Sequence, residues 1–573
     1  MDEATFVCVD FENAFNTVSR QAVMNEVIKL FPEIAPWVFL TYGCAAMLFA
    51  GTEVISGTSG VQQGDPLGPL LFALAIHPIL QDLSTLREHQ SSTTAAAPQA
   101  HVAAFLDDVT MLASTPAAAV ELLLHIRGRA GEIGLRVSAK KSFLWQPRGR
   151  HTQYLKLQIR GTATVRTGSG FELLGGAVTT DVTFATQVAM ARAQECADGV
   201  RALCLLEDPQ VSLLLLRACL GMVRLTYAWR TTPPQALIPA TRLLDKELHA
   251  ALKLIVVADG PYFGDFQLQL ASLPIRLGGL GIGLPSDVLT FANLASMLDS
   301  AALQAAMIPS LPDRSSTFRA CLQAFSSFHL LPLDKASIAT DDNMPLPLLN
   351  NQKIMATAFY RSKRTRLMEH KYLQSTRCAP FADRHRLILD SACVKHKSHS
   401  LSLQWLLALP NPGLGQMMLP NEMRAALCYH LLIPQRQAPT KCPNAGCRHE
   451  LDIFGYHALS CQAIGSETKT RHNLVVQALF DFALAANFHP LKEAPITCLS
   501  ESSAISGAVR HLRPADLLID GDGHSRCCVD VTVVSPLSEA KADSAEGRKL
   551  GKLVRKAAHE KQLKHSAPCI EAG

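Results

Sequence analysis

The stretch His101-Val-Ala-Ala-Phe-Leu-Asp-Asp-Val-Thr-Met-Leu112 decides the fold, because it places two adjacent acids between two apolar runs. Apolar residues on both sides of a short polar tip predict a β-hairpin with Asp107 and Asp108 at the turn. A third acid, Asp10, follows the β-rich run Thr5-Phe-Val-Cys-Val9, which predicts a carboxylate at the end of another strand. A pair of acids in one turn is often only a solvated turn, so the surrounding pattern has to decide.

The residues around these acids predict a regular order of elements. They indicate a helix capped by Ser19 and running to about Leu30, a helix from near Pro66 to about Leu80, a helix over 117–131, and a strand near Leu135. The resulting order β-α-loop-α-β-β-α-β matches a split βαβ sheet with helices packed on one face. Because such a sheet brings neighbouring strand ends together, the separated acids can bind a pair of Mg²⁺ ions and support nucleotidyl transfer.

Four motifs, taken in order, resemble those of the reverse transcriptases of non-LTR (LINE-type) retrotransposons. They are Val9-Asp-Phe-Glu-Asn-Ala-Phe15, Gln62-Gln-Gly-Asp-Pro66, Phe105-Leu-Asp-Asp108 and Gly134-Leu-Arg-Val-Ser-Ala-Lys-Lys141. The resemblance implies a polymerase palm in which Asp10 and Asp107 bridge the Mg²⁺ ions and Asp108 assists them. It also implies RNA-directed DNA synthesis, with an RNA template, a DNA primer or target, and dNTPs as partners.

The same resemblance assigns roles to four further residues. Phe15 would lie under the sugar of the incoming nucleotide, where a bulky ring excludes a 2′ hydroxyl and favours deoxynucleotides. Gln63 and Gly64 would shape the nucleotide and template pocket, and Lys141 would protonate the leaving pyrophosphate. For Lys141 taken alone, a solvated surface lysine is an equally good interpretation.

The sequence departs from the family pattern at several positions. Asn16, Leu106 and Gly68 replace the usual aspartate, alanine and serine, but none of these changes removes a metal ligand. The stretch Phe171-Glu-Leu-Leu-Gly-Gly176 resembles a degraded primer-grip turn. Only nine residues precede Asp10, which leaves no room for the fingers subdomain of the family. We therefore expect an N-terminally truncated enzyme, with weak or no polymerase activity in this chain.

Beyond a palm over 1–185, the helical spacing of Leu and Ala predicts a thumb over 186–300 and a helical connector over 301–435. The connector carries a dense basic stretch made of Arg361, Lys363, Arg364, Arg366, Lys371 and Arg377. Such a cluster suits contacts with nucleic-acid phosphates, although a solvated helix face explains it nearly as well.

A cysteine and histidine pattern occupies the next segment, over 436–465. Cys442, Cys447, His457 and Cys461 have the spacing C-x4-C-x9-H-x3-C, and two close pairs of soft ligands suit tetrahedral zinc. Because this set leaves no open coordination position, we expect a structural Zn²⁺ ion in a CCHC zinc knuckle. Unrelated reduced cysteines are the alternative.

Residues 466–573 resemble the restriction-like endonuclease domain, of the PD-(D/E)xK type, at the C-terminus of some LINE-type elements. The resemblance rests, in order, on Arg471-His-Asn473, Glu493, Arg513-Pro-Ala-Asp516 and Val529-Asp-Val-Thr532. Asp516 begins one apolar strand and Asp530 lies on a second, over 528–534, so the two acids can hold Mg²⁺ for phosphodiester hydrolysis. Ordinary exposed acids at strand ends are the alternative.

The lysine of this nuclease pattern is displaced. Thr532 stands where the lysine usually follows the second acid. The resemblance implies that a lysine further along the chain substitutes for it, and Lys561 is the expected residue, with Lys564 second.

Composition sets the remaining limits. At 573 residues, with 48% hydrophobic and 18% charged residues, the chain is expected to form several globular domains. A net charge of +5 permits a nucleic-acid partner without requiring one.

The sixteen cysteines form no dense framework and no signal peptide is evident, so we expect an intracellular location, nuclear or cytoplasmic. Two apolar runs, over 34–51 and 398–421, contain prolines, and we expect no membrane span; a buried helix followed by a strand explains the first run.

Together these features predict a multidomain α+β protein: a reverse transcriptase palm with an α-helical thumb, a helical connector, a zinc knuckle and a PD-(D/E)xK-like α/β domain. In this interpretation the nuclease nicks target DNA and the palm extends the new 3′ end on an RNA template. Two alternatives stay open. One is a catalytically inactive relic that binds nucleic acid, and the other is a maturase-like protein whose partner is a folded intron RNA.

Overall fold

The computed structural model describes residues 4–89, 101–260, 262–307, 323, 325, 351–391, 403–461, 463, 467–494, 515–520, 527–533 and 556–563. The chain divides into two compact units, Met1–Val188 and Ala189–Gly573. The strands of the first unit are β1 (Thr5–Val9), β2 (Ala46–Ala50), β3 (Glu53–Gly57), β4 (His101–Phe105), β5 (Asp108–Ala113), β6 (Phe143–Gln146), β7 (Thr164–Thr167), β8 (Gly170–Leu173) and β9 (Gly176–Thr179). Its helices are α1 (Ala14–Thr17), α2 (Arg20–Leu30), α3 (Ala35–Tyr42), α4 (Gly68–His89), α5 (Pro116–Glu132) and α6 (Thr152–Gln158).

The core of the first unit is a five-stranded sheet in the order β4-β5-β1-β6-β7. Strand β1 runs antiparallel to both β5 and β6, whereas β6 and β7 are parallel. Because alternate residues of a strand face opposite sides of a sheet, the two faces are covered by different elements. On one side Val7, Val9 and Met111 are buried in a core shared with α2, α4 and α5. On the other side Trp145 and Phe171 join the sheet to the hairpin β8–β9.

Local sequence signals account for several of these elements. The Ser19 hydroxyl accepts a hydrogen bond from the amide of Ala22 (3.3 Å), so α2 begins with the predicted cap and ends at Leu30. Helix α5 confirms the helix expected over 117–131, and Thr115 caps it in the same way. The hairpin expected around the paired acids is also confirmed, because β4 and β5 pair with Phe105 opposite Asp108.

Other predictions for this unit were wrong in detail. The strand expected near Leu135 is a loop that makes only an isolated bridge between Phe11 and Val137. The helix expected from near Pro66 to Leu80 begins at Gly68 and continues to His89.

The apolar run over 34–51 does form a helix and then a strand, as expected, but the helix is not buried. Trp37, Phe39 and Leu40 of α3 are 59%, 62% and 73% exposed. Val38 and Tyr42 are the buried residues of this helix, and Ala35 packs partly buried against the core.

The second unit is mainly helical. Its helices are α7 (Val182–Leu203, which begins in the first unit), α8 (Pro209–Leu215), α9 (Met222–Thr231), α10 (Pro234–Val257), α11 (Asp265–Ala271), α12 (Pro285–Leu289), α13 (Ala292–Met307), α14 (Asn351–Met368), α15 (Ala382–Ser391), α16 (Pro420–His430), α17 (Tyr456–Ser460) and α18 (Glu467–Ala485). Residues 556–563 are also helical, and a π-helical turn over Leu216–Leu220 follows α8. Short 3₁₀ turns occur at Cys204–Leu206, Ile275–Leu277, Ala379–Phe381, Gln404–Leu407 and Pro412–Leu414. Its strands are β10 (Thr440–Lys441), β11 (Glu450–Leu451), β12 (His489–Lys492), β13 (Leu517–Asp520) and β14 (Cys527–Val529).

One member of the basic stretch on α14 does not face solvent. The ammonium group of Lys363 is buried and donates to both carboxylate oxygens of Asp287 (2.8 and 2.6 Å) and to the Ser272 hydroxyl (2.7 Å). A buried, paired lysine is unavailable to phosphates, so the expectation that this residue joins a nucleic-acid contact surface was wrong.

One segment of the described helices, over 209–231, is long and apolar enough to cross a membrane by length and composition. It consists of α8, the π-helical turn and α9, and Leu213, Leu216 and Trp229 from it are buried in the helical core. Since the core helix of a globular unit passes the same test, this segment is weak evidence for a span.

Candidate functional site

The first site, here called the palm edge, consists of Asp10, Asp107, Asp108 and Lys141. Val9 pairs with Val109 across β1 and β5, so Asp10, the residue directly after β1, lies opposite Asp108 at one edge of the sheet. Asp107 lies in the two-residue turn between β4 and β5. The other turn residue, Leu106, has a φ of 57°, a left-handed backbone that a bulky residue adopts only under strain.

The backbone at Asp10 is held from the opposite side by residues next to Lys141. The amide of Asp10 donates to the Ser142 hydroxyl (3.0 Å), and that hydroxyl donates to the Asp10 carbonyl (3.2 Å). The amide of Ser138 donates to the same carbonyl (2.8 Å). The Lys141 ammonium consequently stands 3.6 Å from Oδ1 of Asp10. Sequence reasoning missed Ser142, and only its place directly after Lys141 hinted at a role.

The electrostatics of the palm edge suit a divalent cation. Burial raises the pKa of the Asp108 carboxyl, and the charges of Asp107 and Asp10 raise it further, while Lys141 opposes them. Oδ1 of Asp10 is buried and accepts no hydrogen bond from the described residues. Crowded carboxylates with an oxygen free of donors are the hard oxygen ligands that Mg²⁺ prefers. The residues present therefore fit Mg²⁺.

The expected nucleotide-pocket residues lie on elements joined to this edge of the unit. The Phe15 ring stacks on Phe72 of α4, with ring centroids 4.8 Å apart, and is half-buried. The Phe15 carbonyl accepts from the amide of Val61 (2.7 Å), which ties it to the loop that carries Gln63 and Gly64. Both loop residues are exposed, and Gly64 has a φ of 92° that favours glycine.

A buried tyrosine holds this loop from behind. The Tyr42 hydroxyl hydrogen-bonds to a carboxylate oxygen of Asp65 and accepts from the amide of Gln62 (3.2 Å). Burial raises the pKa of Tyr42, and the hydrogen bond to Asp65 adds to the effect. No local sequence pattern predicts this contact, because Tyr42 and Asp65 belong to different elements.

The second site is the cysteine and histidine cluster of the zinc-knuckle segment. One ligand atom from each of Cys442, Cys447, His457 and Cys461 lies within 4.8 Å of every other, so these residues form a possible metal site. The sulfurs of Cys442 and Cys461 are 3.8 Å apart, and Nε2 of His457 is 3.3 Å from the sulfur of Cys447. Tetrahedral zinc separates two sulfur ligands by about 3.8 Å and a sulfur from a nitrogen by about 3.5 Å. The donor set therefore fits Zn²⁺.

Two residues that the spacing did not single out support this cluster. The Asn444 side-chain amide donates to the sulfur of Cys461 (3.3 Å), and an Asp452 carboxylate oxygen accepts from the amide of His457 (2.8 Å). Such outer contacts orient metal ligands.

The third site, here called the tail site, consists of Asp516, Asp530, Lys561 and His472. Asp516 directly precedes β13, but β14 ends at Val529, so Asp530 follows the strand instead of lying within a strand over 528–534. The Lys561 ammonium donates to Oδ1 of Asp530 (2.9 Å). Lys564, the second choice, lies outside the described residues, as do Arg513 and the turn over 521–523.

The carboxyl of Asp516 is surrounded by partners. Oδ1 lies 3.2 Å from Nε2 of His472, and Oδ2 accepts from the amide of Val531 (2.7 Å). Burial raises the pKa of Asp516, and a hydrogen bond with Asp530 raises it further. The two acids and the lysine expected from the sequence thus come together around residues 516–531. His472 belongs to one of the motifs that carry the resemblance, but the sequence did not predict its contact with Asp516.

Acids from neighbouring strand ends at one edge of a sheet are the arrangement that palm-type nucleotidyl transferases use. Residues 2–169 match the family described as "Reverse transcriptase (RNA-dependent DNA polymerase)". This part of the chain is a reverse transcriptase domain with a mixed α/β fold, and domains of this family generally use Mg²⁺. No curated protein matches the chain.

Two solved structures of yeast telomerases are similar to the chain. One is the telomerase of Candida albicans with a TWJ fragment of telomeric RNA, at 11% identity and a TM-score of 0.30, covering 56% of this chain and 51% of that one. The other is the apo telomerase of Candida tropicalis, at 10% identity and a TM-score of 0.28, covering 57% of this chain and 54% of that one. The chain thus spans about half the length of each telomerase, and at these scores neither likeness supports a conclusion about it.

Proposed function

We propose that this chain is part of a non-LTR, retroelement-derived RNA-directed DNA polymerase that joins deoxynucleotides to a DNA primer on an RNA template. The observation that carries the proposal is the pairing that places Asp10 opposite Asp108, beside Asp107 and Lys141, inside a reverse transcriptase domain. In this proposal the palm occupies 1–185, the thumb 186–300, the connector 301–435, the zinc knuckle 436–465 and an endonuclease-like domain 466–573.

Each residue of the palm edge has a proposed task. Asp10 and Asp107 would hold Mg²⁺, with Asp108 assisting, and the bound ions would activate the primer 3′ hydroxyl and neutralise the triphosphate. Lys141 donates a proton to the leaving pyrophosphate from a position within reach of Asp10. Phe15 lies beneath the sugar and excludes a 2′ hydroxyl, while Gln63 and Gly64 shape the pocket for nucleotide and template.

Primer extension tests this proposal. The full chain is incubated with poly(rA), oligo(dT), dTTP and Mg²⁺, and incorporation is compared with that of Asp10→Asn and Asp107→Asn. We expect slow, Mg²⁺-dependent incorporation that falls about 10²- to 10³-fold in both variants. Glu33→Gln, a change at an exposed acid, is the control and leaves the rate unchanged. Equal incorporation in all four proteins, or none together with no Mg²⁺-dependent dTTP binding, contradicts the proposal and favours an inactive relic.

A second function, DNA nicking, is favoured by the contacts of Asp530 with Lys561 and Asp516. Asp516 and Asp530 would hold Mg²⁺, and Lys561 would stabilise the charge that develops on the cleaved phosphate. Nicking of supercoiled DNA by the full chain tests it. We expect Asp530→Ala to abolish Mg²⁺-dependent nicking and Asp481→Ala, at an exposed acid of α18, to preserve it. Unchanged nicking in Asp530→Ala removes this residue from the site.

A further inference from the structure

The first unit concentrates most of its positive charge in one segment. Residues 1–132 contain five Lys and Arg against fourteen Asp and Glu, whereas residues 133–171 contain eight Lys and Arg and no acid. An acidic unit with one purely cationic segment produces a strongly asymmetric field, which attracts a polyanion to that segment.

Four of these cations lie on the connection from β6 to β7, and a fifth, Arg166, lies on β7. They are Arg148, Arg150, Lys156, Arg160 and Arg166, and all five are exposed. Because β6 and β7 are parallel neighbours, the chain must cross between them, and α6 makes this crossing. We name residues 147–167 the basic crossover.

The crossover starts away from the palm edge and returns towards it. Trp145, near the end of β6, pairs with Phe6, near the start of β1, so the residues after β6 lie at the edge remote from Asp10. Strand β7 then begins beside Phe143. The four paired positions of β6 and β7 span three residue steps, about 10 Å, which matches about three phosphates of one nucleic-acid strand.

The backbone that presents these cations is fixed. The Thr152 hydroxyl donates to the Gly149 carbonyl (2.7 Å), and the amide of His151 donates to the Gln146 side-chain carbonyl (3.0 Å). Leu155 and Ile159 anchor the crossing in the apolar core. A pre-organised surface loses little entropy when a partner binds.

Three of the five cations of the crossover have no acidic partner among the described residues. Arg150, Lys156 and Arg160 form no ion pair with any of the described residues. Elsewhere in the same unit Arg129 pairs with Asp82, and Lys29 pairs with Glu26 at 3.5 Å. Cations kept clear of acids suit an external anion better than a role in folding.

Aromatic groups accompany the cations. The guanidinium of Arg166 lies 3.9 Å from the ring centroid of Phe143, and the Tyr154 ring on α6 is 42% exposed. An exposed ring on the helix that carries Lys156 offers apolar contact to a sugar of the bound strand in addition to phosphate contacts.

We propose that the basic crossover is a docking surface for the sugar–phosphate backbone of an RNA–DNA hybrid, separate from the palm edge. The choice of nucleic acid as the polyanion rests on the proposed function. We expect this surface to bind without reading sequence, because contacts from exposed Arg and Lys side chains to phosphates carry no sequence information.

Salt-dependent binding tests this inference. The full chain carrying Asp10→Asn is titrated, without Mg²⁺ or dNTP, into a fluorescent mixed-sequence RNA–DNA hybrid between about 50 and 200 mM salt. The triple change Arg150→Ala, Lys156→Ala and Arg160→Ala is expected to reduce the slope of log K against log salt by about 2 to 3, since each lost phosphate contact removes about 0.9. Single changes each remove about one third of that effect.

Lys29→Ala is the matched control, because it removes one exposed cation from the same unit but outside the crossover, and the slope is expected to stay unchanged. A triple variant with the parental slope and an unchanged thermal transition overturns the inference. An equal loss of slope with polyaspartate as titrant overturns it as well, because the partner is then an acidic polypeptide. Failure of primer extension with the slope difference intact contradicts only the proposed polymerase.

Discussion

The palm edge and the tail site both combine two or more carboxylates with a lysine, but the carboxylate oxygens of the two sites differ in their hydrogen-bond and ion-pair partners. At the palm edge, Oδ1 of Asp10 is buried without a hydrogen-bond donor among the described residues, and Lys141 stands back at 3.6 Å. At the tail site, both oxygens of Asp516 already have partners, and Lys561 contacts Asp530 at 2.9 Å. Asp516 of the tail site therefore has both carboxylate oxygens occupied by neighbouring groups, whereas Asp10 of the palm edge keeps one buried oxygen for a cation.

The strands and sheets that carry these carboxylates also differ between the two sites. Asp10 and Asp108 come from adjacent strands of a five-stranded sheet whose core is sealed by helices. Asp516 and Asp530 come from the ends of two short strands in a three-stranded sheet, and His472 reaches Asp516 from α18. We therefore expect the palm edge to bind Mg²⁺ more tightly than the tail site, where the ion must displace existing partners.

Zinc removal should have the largest effect and should separate the two sites. Structural zinc contributes about 10 kcal/mol to folding in small zinc domains, so a zinc-selective chelator unfolds the segment that holds Cys442 and His457. Arg471, next to His472, donates to the Leu459 carbonyl of that segment, so the tail site loses order as well. Hydrogen exchange is expected to accelerate over 440–485 while β1 and β5 keep their protection.

Cys442→Ser should reproduce the effect of the chelator, whereas Cys44→Ser, at an exposed cysteine of the first unit, should not. Equal acceleration in both units would show that the zinc cluster supports the whole chain and would remove this distinction between the sites.

Exchanging one carboxylate at each site should produce a crossed pattern of activities. Asp10→Asn is expected to lower primer extension about 10²- to 10³-fold and to leave nicking unchanged. Asp530→Ala is expected to do the reverse. Parallel assays on both variants check the pattern, and loss of both activities in either variant would mean that the two sites are not independent.

A smaller effect is expected on stability. Asp108→Asn removes the repulsion between like charges on neighbouring strands, so it should stabilise the first unit by up to about 1 kcal/mol at neutral pH. Hydrogen exchange of β1 and β5 measures the change. Mg²⁺ should add protection in the parent and less in the variant. A destabilised variant would mean that the carboxylate makes a favourable contact in the folded protein.

The smallest effects are expected at the two lysines. Lys561→Ala should destabilise its surroundings by up to about 1 kcal/mol, and Lys141→Ala by only a few tenths, because exposed ion pairs contribute little. Lys561 is the closer and less exposed of the two, at 38% against 71%. Hydrogen exchange near Asp530 and Asp10 checks the ranking, and a reversed order would contradict the difference drawn between the sites.

The sequence predicted contacts that depend on strand order and ligand spacing. The hairpin at Asp107, the cap at Ser19 and helix α5 follow from local patterns, which the structure preserves. Local patterns do not specify tertiary contacts. A basic run on a helix therefore could not predict that Lys363 is buried against Asp287. The exposed apolar face of α3 was not predicted for the same reason, because an apolar run does not show which of its residues pack against the core.

In the candidate sites, too, local patterns were predicted from the sequence and tertiary contacts were not. The order of elements predicted that β1 and β5 would be neighbours. The hydrogen bond between Asp10 and Ser142 was not predicted, because Ser142 directly precedes β6 and the strand expected in this region was placed too early, near Leu135. At the tail site the acids were identified by motif, whereas His472 gained its contact only through the packing of α18.

The most direct measurement is a crystal structure of the chain with Mn²⁺ and a non-hydrolysable dNTP, using the anomalous signal to locate the ions. We expect Mn²⁺ to be held at about 2.1 Å by carboxylate oxygens of both Asp10 and Asp107, with the triphosphate on the same ions. Carboxylates of these two residues too far apart to share an ion, or Mn²⁺ bound elsewhere, would contradict it.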